Sequence, residues 1–177
     1  MNRKLRILKM NNNIIEKISK NSFFGLKELH TLDVSSNRLI FVDRNAFDTL
    51  DELKYLNLRN NTIYSLSANI FLALRQLKSI DLSRNVMKQL PNGIFANQLQ
   101  LQEINLDNTH LERVSNWLTK PTPNATYGKI QVLQNLKYLS LRNNTKLMEI
   151  EPCLFLNIPN IEKLYLTNNQ LTFIPGE

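Results

Sequence analysis

Few residues in this 177-residue chain have the type and spacing that catalysis requires. Asp33 and Asp81 occupy equivalent places in a repeating pattern, and paired carboxylates can act as general acid and base. The pattern places them two strands apart with Asn57 between, roughly 10 Å, which is wider than a retaining glycosidase pair. His30 and His110 stand alone, and no cysteine–histidine cluster has metal-ligand spacing. The sequence therefore predicts no enzymatic activity, no cofactor and no metal site.

The pattern itself is a block of twenty-four residues with apolar side chains at fixed offsets. One copy contains Leu53, Leu56, Leu58 and Ile63, with Asn61 at the ninth place. We assign one domain, 1–177, with about seven repeats: 5–28, 29–52, 53–76, 77–100, 101–135 with a loop insertion near 117–130, 136–160, and an incomplete 161–177. The pattern is cut at both ends without the polar caps that close a repeat core, so we expect a fragment of a longer protein.

Two further columns of residues predict how the repeats hold together. The ninth-place asparagine can donate and accept hydrogen bonds at the turn after each strand, which predicts a ladder formed by Asn13, Asn37, Asn61, Asn85, Asn144 and Asn169. Thr109 replaces it in repeat five, where we expect a weakness on the order of 1 kcal/mol. Recurring phenylalanines predict a stacked core spine formed by Phe23, Phe47, Phe71, Phe95 and Phe155.

Repeat five departs from the pattern, because thirty-five residues separate Leu101 from Leu136. The extra residues include two prolines, a glycine and small polar side chains, which predict a loop. Such an insertion can serve binding or can be a surface excursion without function. Trp117, at its start, either replaces the missing spine phenylalanine or anchors the loop or a partner.

The twenty-four-residue block with phenylalanine in its second half resembles the typical extracellular leucine-rich repeat, which occurs in Toll-like receptors, small proteoglycans and neuronal adhesion receptors. The resemblance spans residues 5–177. It implies an α/β leucine-rich-repeat solenoid: a curved right-handed superhelix with a parallel sheet on the concave face. Loops, turns and short 3-10 segments are expected on the convex face. It also implies an extracellular location, as a secreted protein or the ectodomain of a cell-surface protein.

The exposed strand positions are the main candidates for ligand binding. Tyrosine and arginine are the residues most enriched at binding hot spots, and they occur here as Tyr55, Arg59, Arg84, Tyr138, Arg142 and Tyr165. Acidic candidates on the same face are Asp81, Glu103 and Asp107. The alternative is purely structural, because exposed strand positions accommodate tyrosine well in any case.

Three kinds of partner are consistent with the sequence. A protein ligand bound by the concave face, either alone or together with the 117–130 loop, is the leading hypothesis, with a role in innate immune recognition or receptor signalling. The net charge of +7 and a basic column at the second place of the repeats favour a polyanion or nucleic acid instead. An enzyme inhibitor is the third alternative. No stretch has the length of a transmembrane helix.

The remaining signals concern modification. Asn60, Asn124 and Asn143 begin N-glycosylation sequons, although an asparagine-rich chain also produces sequons by chance. Cys153 is the single cysteine. It is interpreted either as a structural thiol or as the partner of a cysteine in a segment absent from this chain.

Overall fold

The computed structural model describes residues 4–118, 132–152 and 154–173. Seven three-residue strands, one from each repeat, form a single parallel sheet in which the strands lie in chain order. The strands are β1 (Ile7–Lys9), β3 (Thr31–Asp33), β5 (Tyr55–Asn57), β6 (Ser79–Asp81), β7 (Glu103–Asn105), β9 (Tyr138–Ser140) and β11 (Lys163–Tyr165). Equivalent residues pair across neighbouring strands, as in Tyr55 with Ser79. The predicted solenoid architecture is confirmed.

The other side of the stack contains little regular structure. Two parallel ribbons pair β2 (Lys17–Ile18) with β4 (Phe41–Val42), and β8 (Arg113–Val114) with β10 (Glu149–Ile150). A single helical turn, α1, spans Leu154–Asn157. The rest of the described chain on this side consists of turns and irregular segments, so the predicted short 3-10 segments are absent from the described residues.

The core runs between the two sides as one continuous apolar cluster. Phe23, Phe47, Phe71 and Phe95 are buried and stack nearly parallel, with ring centroids 5.8–6.2 Å apart. Trp117 continues the stack, since its centroid lies 6.0 Å from that of Phe95 and only 1% of its surface is exposed. Of the two alternatives for this tryptophan, the structure shows the core position.

The assignment of Phe155 to this spine is wrong. Phe155 is 40% exposed, whereas its neighbour Leu154 is 3% exposed and belongs to the core. The cause is the helical turn α1, which places Leu154, Asn157 and Ile158 on one buried face. Residues three and four apart share a helix face, so the residue after Leu154 points away from the core.

Five of the six ninth-place asparagines link neighbouring repeats through buried or partly buried hydrogen bonds, and Asn13 is the exception. Asn85 Nδ2 donates to the carbonyl oxygens of Leu58 and Leu82 at 3.1 and 2.8 Å. Its Oδ1 accepts from the backbone N–H of Ile63 at 3.1 Å. Asn37 and Asn61 make the equivalent three contacts. Asn144 and Asn169 also donate to two carbonyl oxygens each, but they accept from the backbone N–H of Thr109 and of Asn144, respectively. Asn13 bonds to Met10 and Asn11 of its own repeat.

Repeat five satisfies this position differently. Thr109 Oγ1 lies 2.9 Å from the carbonyl oxygen of Leu106 and 2.8 Å from Oδ1 of Asn144. Both atoms are acceptors, and the single hydroxyl proton can serve only one of them at a time. His110, the next residue, has a left-handed backbone with φ of 66°. The replacement of asparagine is therefore accompanied by a locally altered turn.

Candidate ligand-binding face

The candidate face is the solvent side of the seven-stranded sheet, termed here the sheet face. It is formed by the third, fifth and seventh residues of each repeat, because the fourth and sixth point into the core. The third-place residues Ile7, Tyr55, Glu103 and Lys163 are exposed, and Thr31, Ser79 and Tyr138 are half-buried. Since every strand is held in register by its neighbours, these side chains are presented on a preformed surface.

The fifth-place residues fix the turn at the end of each strand. Asp81 Oδ1 accepts from the backbone N–H of Ser83 at 2.8 Å, and Asn57 Oδ1 accepts from that of Arg59 at 3.0 Å. Asp33 and Asn105 make the same contact. Asp81 is a ligand-binding candidate, and one of its two carboxylate oxygens is thus already hydrogen-bonded within its own turn.

Repeat six has serine, Ser140, at this fifth place. The acceptor for the backbone N–H in its turn is instead a carboxylate from repeat five. Asp107 Oδ1 accepts from the Ser140 hydroxyl at 2.5 Å and from the backbone N–H of Arg142 at 2.7 Å. Asp107 therefore fixes the turn after β9, which carries Arg142. This structural role was missed in the sequence, although the serine in a column of aspartate and asparagine signals that the turn needs another acceptor.

Three of the predicted candidates come together at the end of the sheet. The ring centroids of Tyr138 and Tyr165 are 5.4 Å apart, and Cζ of Arg142 lies 3.7 Å from the centre of the Tyr165 ring. Stacking of a guanidinium on an aromatic face restricts its orientation while leaving its N–H groups at the edge available. Lys163, which we had not singled out, lies in register beside Tyr138.

The other candidates are distributed over repeats three to five. Tyr55 lies on the wall of a shallow depression of about 280 Å³, which Lys9, Asp33, Asn57 and Asp81 also line.

Two arginines and a glutamate complete this part of the face. Arg59 Nη1 donates to the Ser83 hydroxyl at 2.8 Å, and Glu103 Oε2 accepts from that of Ser79 at 3.2 Å. Arg84 is exposed and lies in the turn after β6. These side chains are not gathered into one cluster with Tyr138 and Tyr165.

The predicted glycosylation sites have different accessibility. Asn60 is exposed and Asn143 half-buried, and both have a left-handed backbone with φ of 53° and 58°. Asn60 Nδ2 donates to the Ser36 hydroxyl at 3.1 Å, and Asn143 Oδ1 accepts from Asn168 at 2.8 Å. Asn124, Cys153 and the insertion after Leu118 lie outside the described residues.

Neither a metal site nor a membrane helix is found in the described part of the chain. No group of three or more His, Cys, Asp or Glu side chains there could hold a metal ion. None of the helical structure in residues 4–118, 132–152 and 154–173 is long and apolar enough to cross a bilayer.

A parallel sheet with one strand per repeat, an asparagine ladder and a preformed polar face define a solenoid of leucine-rich repeats. Comparison with family models agrees: the "Leucine rich repeat" model matches residues 3–63 and 51–111, and the "Leucine Rich repeats (2 copies)" model matches 134–176. The chain belongs to the leucine-rich repeat family. A comparison with curated protein sequences finds no match.

Similar solved structures cover nearly the whole chain. It resembles the Drosophila Toll–Spätzle complex (TM-score 0.66, 19% identity, 97% of this chain and 28% of the other). It also resembles a complex of TLR13 with ssRNA13 (0.71, 22%, 98% and 28%) and InlJ of Listeria monocytogenes (0.67, 17%, 97% and 36%). At these identities the similarity shows the fold. The chain spans about a quarter to a third of the length of these proteins.

Proposed function

We propose that this chain is a non-catalytic protein-binding module of an extracellular leucine-rich repeat protein, with the sheet face as its ligand surface. The observation that supports this most directly is the cluster of Tyr138, Arg142 and Tyr165. Tyrosine and arginine dominate protein-binding hot spots, and these three are already held in contact. Because the side chains are ordered before the ligand arrives, less conformational entropy is lost on binding.

A role in innate immune recognition or receptor signalling is the finer form of this proposal. It draws on the similarity in fold to Toll, whose solved complex contains the protein Spätzle. A secreted protein or a receptor ectodomain is the location that goes with it. Glycosylation at Asn60, the more exposed of the two described sequon asparagines, would be consistent with that location.

The test compares tyrosines on and off the sheet face. The immobilised chain is screened against a panel of purified extracellular proteins, and a bound protein is titrated against Tyr138→Ala and Tyr165→Ala. We expect each to weaken binding about thirtyfold or more, because hot-spot truncations cost about 2 kcal/mol or more. Tyr64→Ala is the matched control, since Tyr64 is 59% exposed but lies past the turn, outside the sheet face. Equal losses for all three variants would count against the proposed surface.

A polyanion or nucleic acid is the second candidate, and the net charge of +7 favours it. The solved TLR13 complex contains single-stranded RNA, so a related fold can hold such a ligand. Carboxylates on the sheet face oppose this candidate here, namely Asp33, Asp81, Glu103 and Asp107. Titration with heparin and with RNA over a series of salt concentrations separates the two, because phosphate contacts make affinity fall steeply with salt.

A further inference from the structure

Charge is unevenly distributed along the sheet face. At the third, fifth and seventh places, all four carboxylates lie in repeats two to five, whereas repeats six and seven carry Arg142 and Lys163. Glu162, at the second place of repeat seven, pairs with Lys137. We call the group formed by Tyr138, Arg142, Lys163 and Tyr165 the aromatic–basic end of the sheet face.

The cations of the aromatic–basic end have no carboxylate partner in the described chain. Neither Arg142 nor Lys163 forms an ion pair within residues 4–118, 132–152 and 154–173. The nearby carboxylate of Asp107 is occupied through Oδ1 by the Ser140 hydroxyl and the Arg142 backbone N–H. The guanidinium of Arg142 itself is stacked on Tyr165.

We propose that the aromatic–basic end binds a short acidic segment of the protein ligand, with a ligand carboxylate bound by Arg142. This inference rests on the proposed function and specifies the chemistry of its partner. A stacked guanidinium presents paired N–H groups that match the two oxygens of a carboxylate. Lys163 adds a second positive charge, and the ring of Tyr138 offers an apolar surface to a residue next to the carboxylate.

An acidic protein segment fits this arrangement better than a nucleic acid strand does. A strand carries a phosphate at every nucleotide, so a strand following the sheet would pass from the aromatic–basic end onto Asp107 and Glu103. Like charges at close range disfavour that path. A protein segment can place two or three carboxylates at one end of the face and neutral or basic residues over the rest.

The experiment uses the 177-residue chain with poly-L-glutamate as the acidic probe and oligouridylate RNA of similar total charge as the comparison, at one fixed ionic strength. We expect Arg142→Gln to weaken poly-L-glutamate binding about tenfold, the effect of losing about 1.4 kcal/mol. Arg142→Lys keeps the charge but loses the planar fork, so it should weaken binding about threefold. Lys163→Gln should weaken binding about threefold, typical of one exposed charge pair.

Arg75→Gln is the matched control, because Arg75 is exposed on a loop away from the sheet and its loss changes the net charge equally. Equal weakening by Arg75→Gln and Arg142→Gln would overturn the proposal, since only overall charge would then matter. Tighter binding of the RNA, abolished by Arg142→Gln, would overturn it in favour of nucleic acid. Urea unfolding of each variant verifies that the fold is intact, and Arg142→Lys retains the charge and the aliphatic stem.

The outcome is separable from that of the proposed function. If poly-L-glutamate binding is insensitive to Arg142 while a protein ligand still depends on Tyr138 and Tyr165, the sheet face remains the ligand surface. In that case only the proposed contact between Arg142 and a ligand carboxylate is contradicted. If a protein ligand is insensitive to both tyrosines, the proposed function fails independently of the probe.

Discussion

The eighth residue of every repeat has a left-handed backbone. The values of φ lie between 53° and 58° at Asn12, Ser36, Asn60, Arg84, Asn108, Asn143 and Asn168. The cause is the turn that follows each strand, where the chain must reverse direction to bring the ninth-place asparagine to the ladder. Asparagine tolerates this conformation because its short polar side chain can bond locally. Arg84 lacks such a side chain, so the left-handed penalty at this position has no local compensation of that kind.

Replacing Arg84 with asparagine is therefore expected to stabilise the fold by about 1 kcal/mol, the scale of the left-handed penalty. The backbone N–H of Arg84 donates to the Asp107 carbonyl oxygen at 2.8 Å, and this bond is retained in the variant. Urea unfolding measures the change in free energy. The reverse substitution in the next repeat, Asn108→Arg, should destabilise by a similar amount. A loss of stability in Arg84→Asn would show that the arginine side chain makes a stabilising contact that outweighs the strain.

If Arg84→Asn stabilises the fold but weakens binding of a protein ligand, the strain at this position is retained for function. Strained backbone is commonly found at functional sites, although the strain alone does not prove a role. The two measurements together would therefore decide whether Arg84 belongs to the ligand surface.

At the scale of secondary structure, the helical turn α1 decides which side chains of repeat six reach the core. Repeat six, 136–160, has twenty-five residues instead of twenty-four. Counting five residues from Ile150 therefore selects Phe155, whereas counting eighteen from Leu136 selects Leu154. The structure buries Leu154, because the turn places it on the same face as Asn157 and Ile158.

Leu154→Ala should therefore destabilise the chain by about 2–4 kcal/mol, as expected for a buried leucine. Phe155→Ala, one residue away and 40% exposed, should cost less than about 1 kcal/mol. Thermal or urea unfolding of both variants provides the comparison. A larger loss of stability for Phe155→Ala than for Leu154→Ala would contradict the assignment of Leu154 to the core in place of Phe155.

Much of the fold could be predicted from the sequence because its period fixes the strand register. A shift of one residue would move Leu56 from the core to solvent, so the apolar spacing allows a single alignment. The same periodicity identified four of the five assigned spine phenylalanines. The extra residue in repeat six shifts the spacing of its apolar side chains, so the period alone predicted the wrong spine residue, Phe155.

The candidate site was less predictable than the fold. The place of each residue in its repeat predicted that Tyr138, Arg142 and Tyr165 lie on the sheet face, but the structure shows them half-buried rather than exposed. The sequence did not predict that the guanidinium stacks on one ring and that the other ring lies beside it. Those contacts depend on side-chain torsion angles across neighbouring repeats. The role of Asp107 was equally hidden, since it acts on a turn thirty-five residues further along the chain.

At the scale of the whole molecule, the stack behaves as a row of repeats that contact mainly their neighbours. The strand order follows the chain from β1 to β11, so each strand pairs only with those of adjacent repeats. Stability in such a solenoid is approximately a sum of repeat terms and neighbour interfaces. A substitution that destabilises one repeat should therefore have little effect on distant repeats. Distant parts of the sheet face should keep their geometry.

Phe71→Ala tests this directly, because Phe71 is fully buried between Phe47 and Phe95. We expect the substitution to cost about 3–5 kcal/mol, with the loss concentrated in repeats two to four. Amide hydrogen exchange should show lowered protection at β3, β5 and β6 and smaller changes at β11. Leu72→Ala is the control, since Leu72 is adjacent in sequence but 43% exposed.

The same variant links stability to function. If the loss of stability stays local, a protein ligand that contacts the aromatic–basic end should bind the folded Phe71→Ala chain with nearly unchanged affinity, because repeats six and seven are three and four repeats away. Loss of protection spread equally over β1 to β11 would instead show one cooperative unit, and binding would then fall with global stability. Measuring exchange and affinity on the same sample distinguishes the two, since only a cooperative unit couples the spine of repeat three to Arg142.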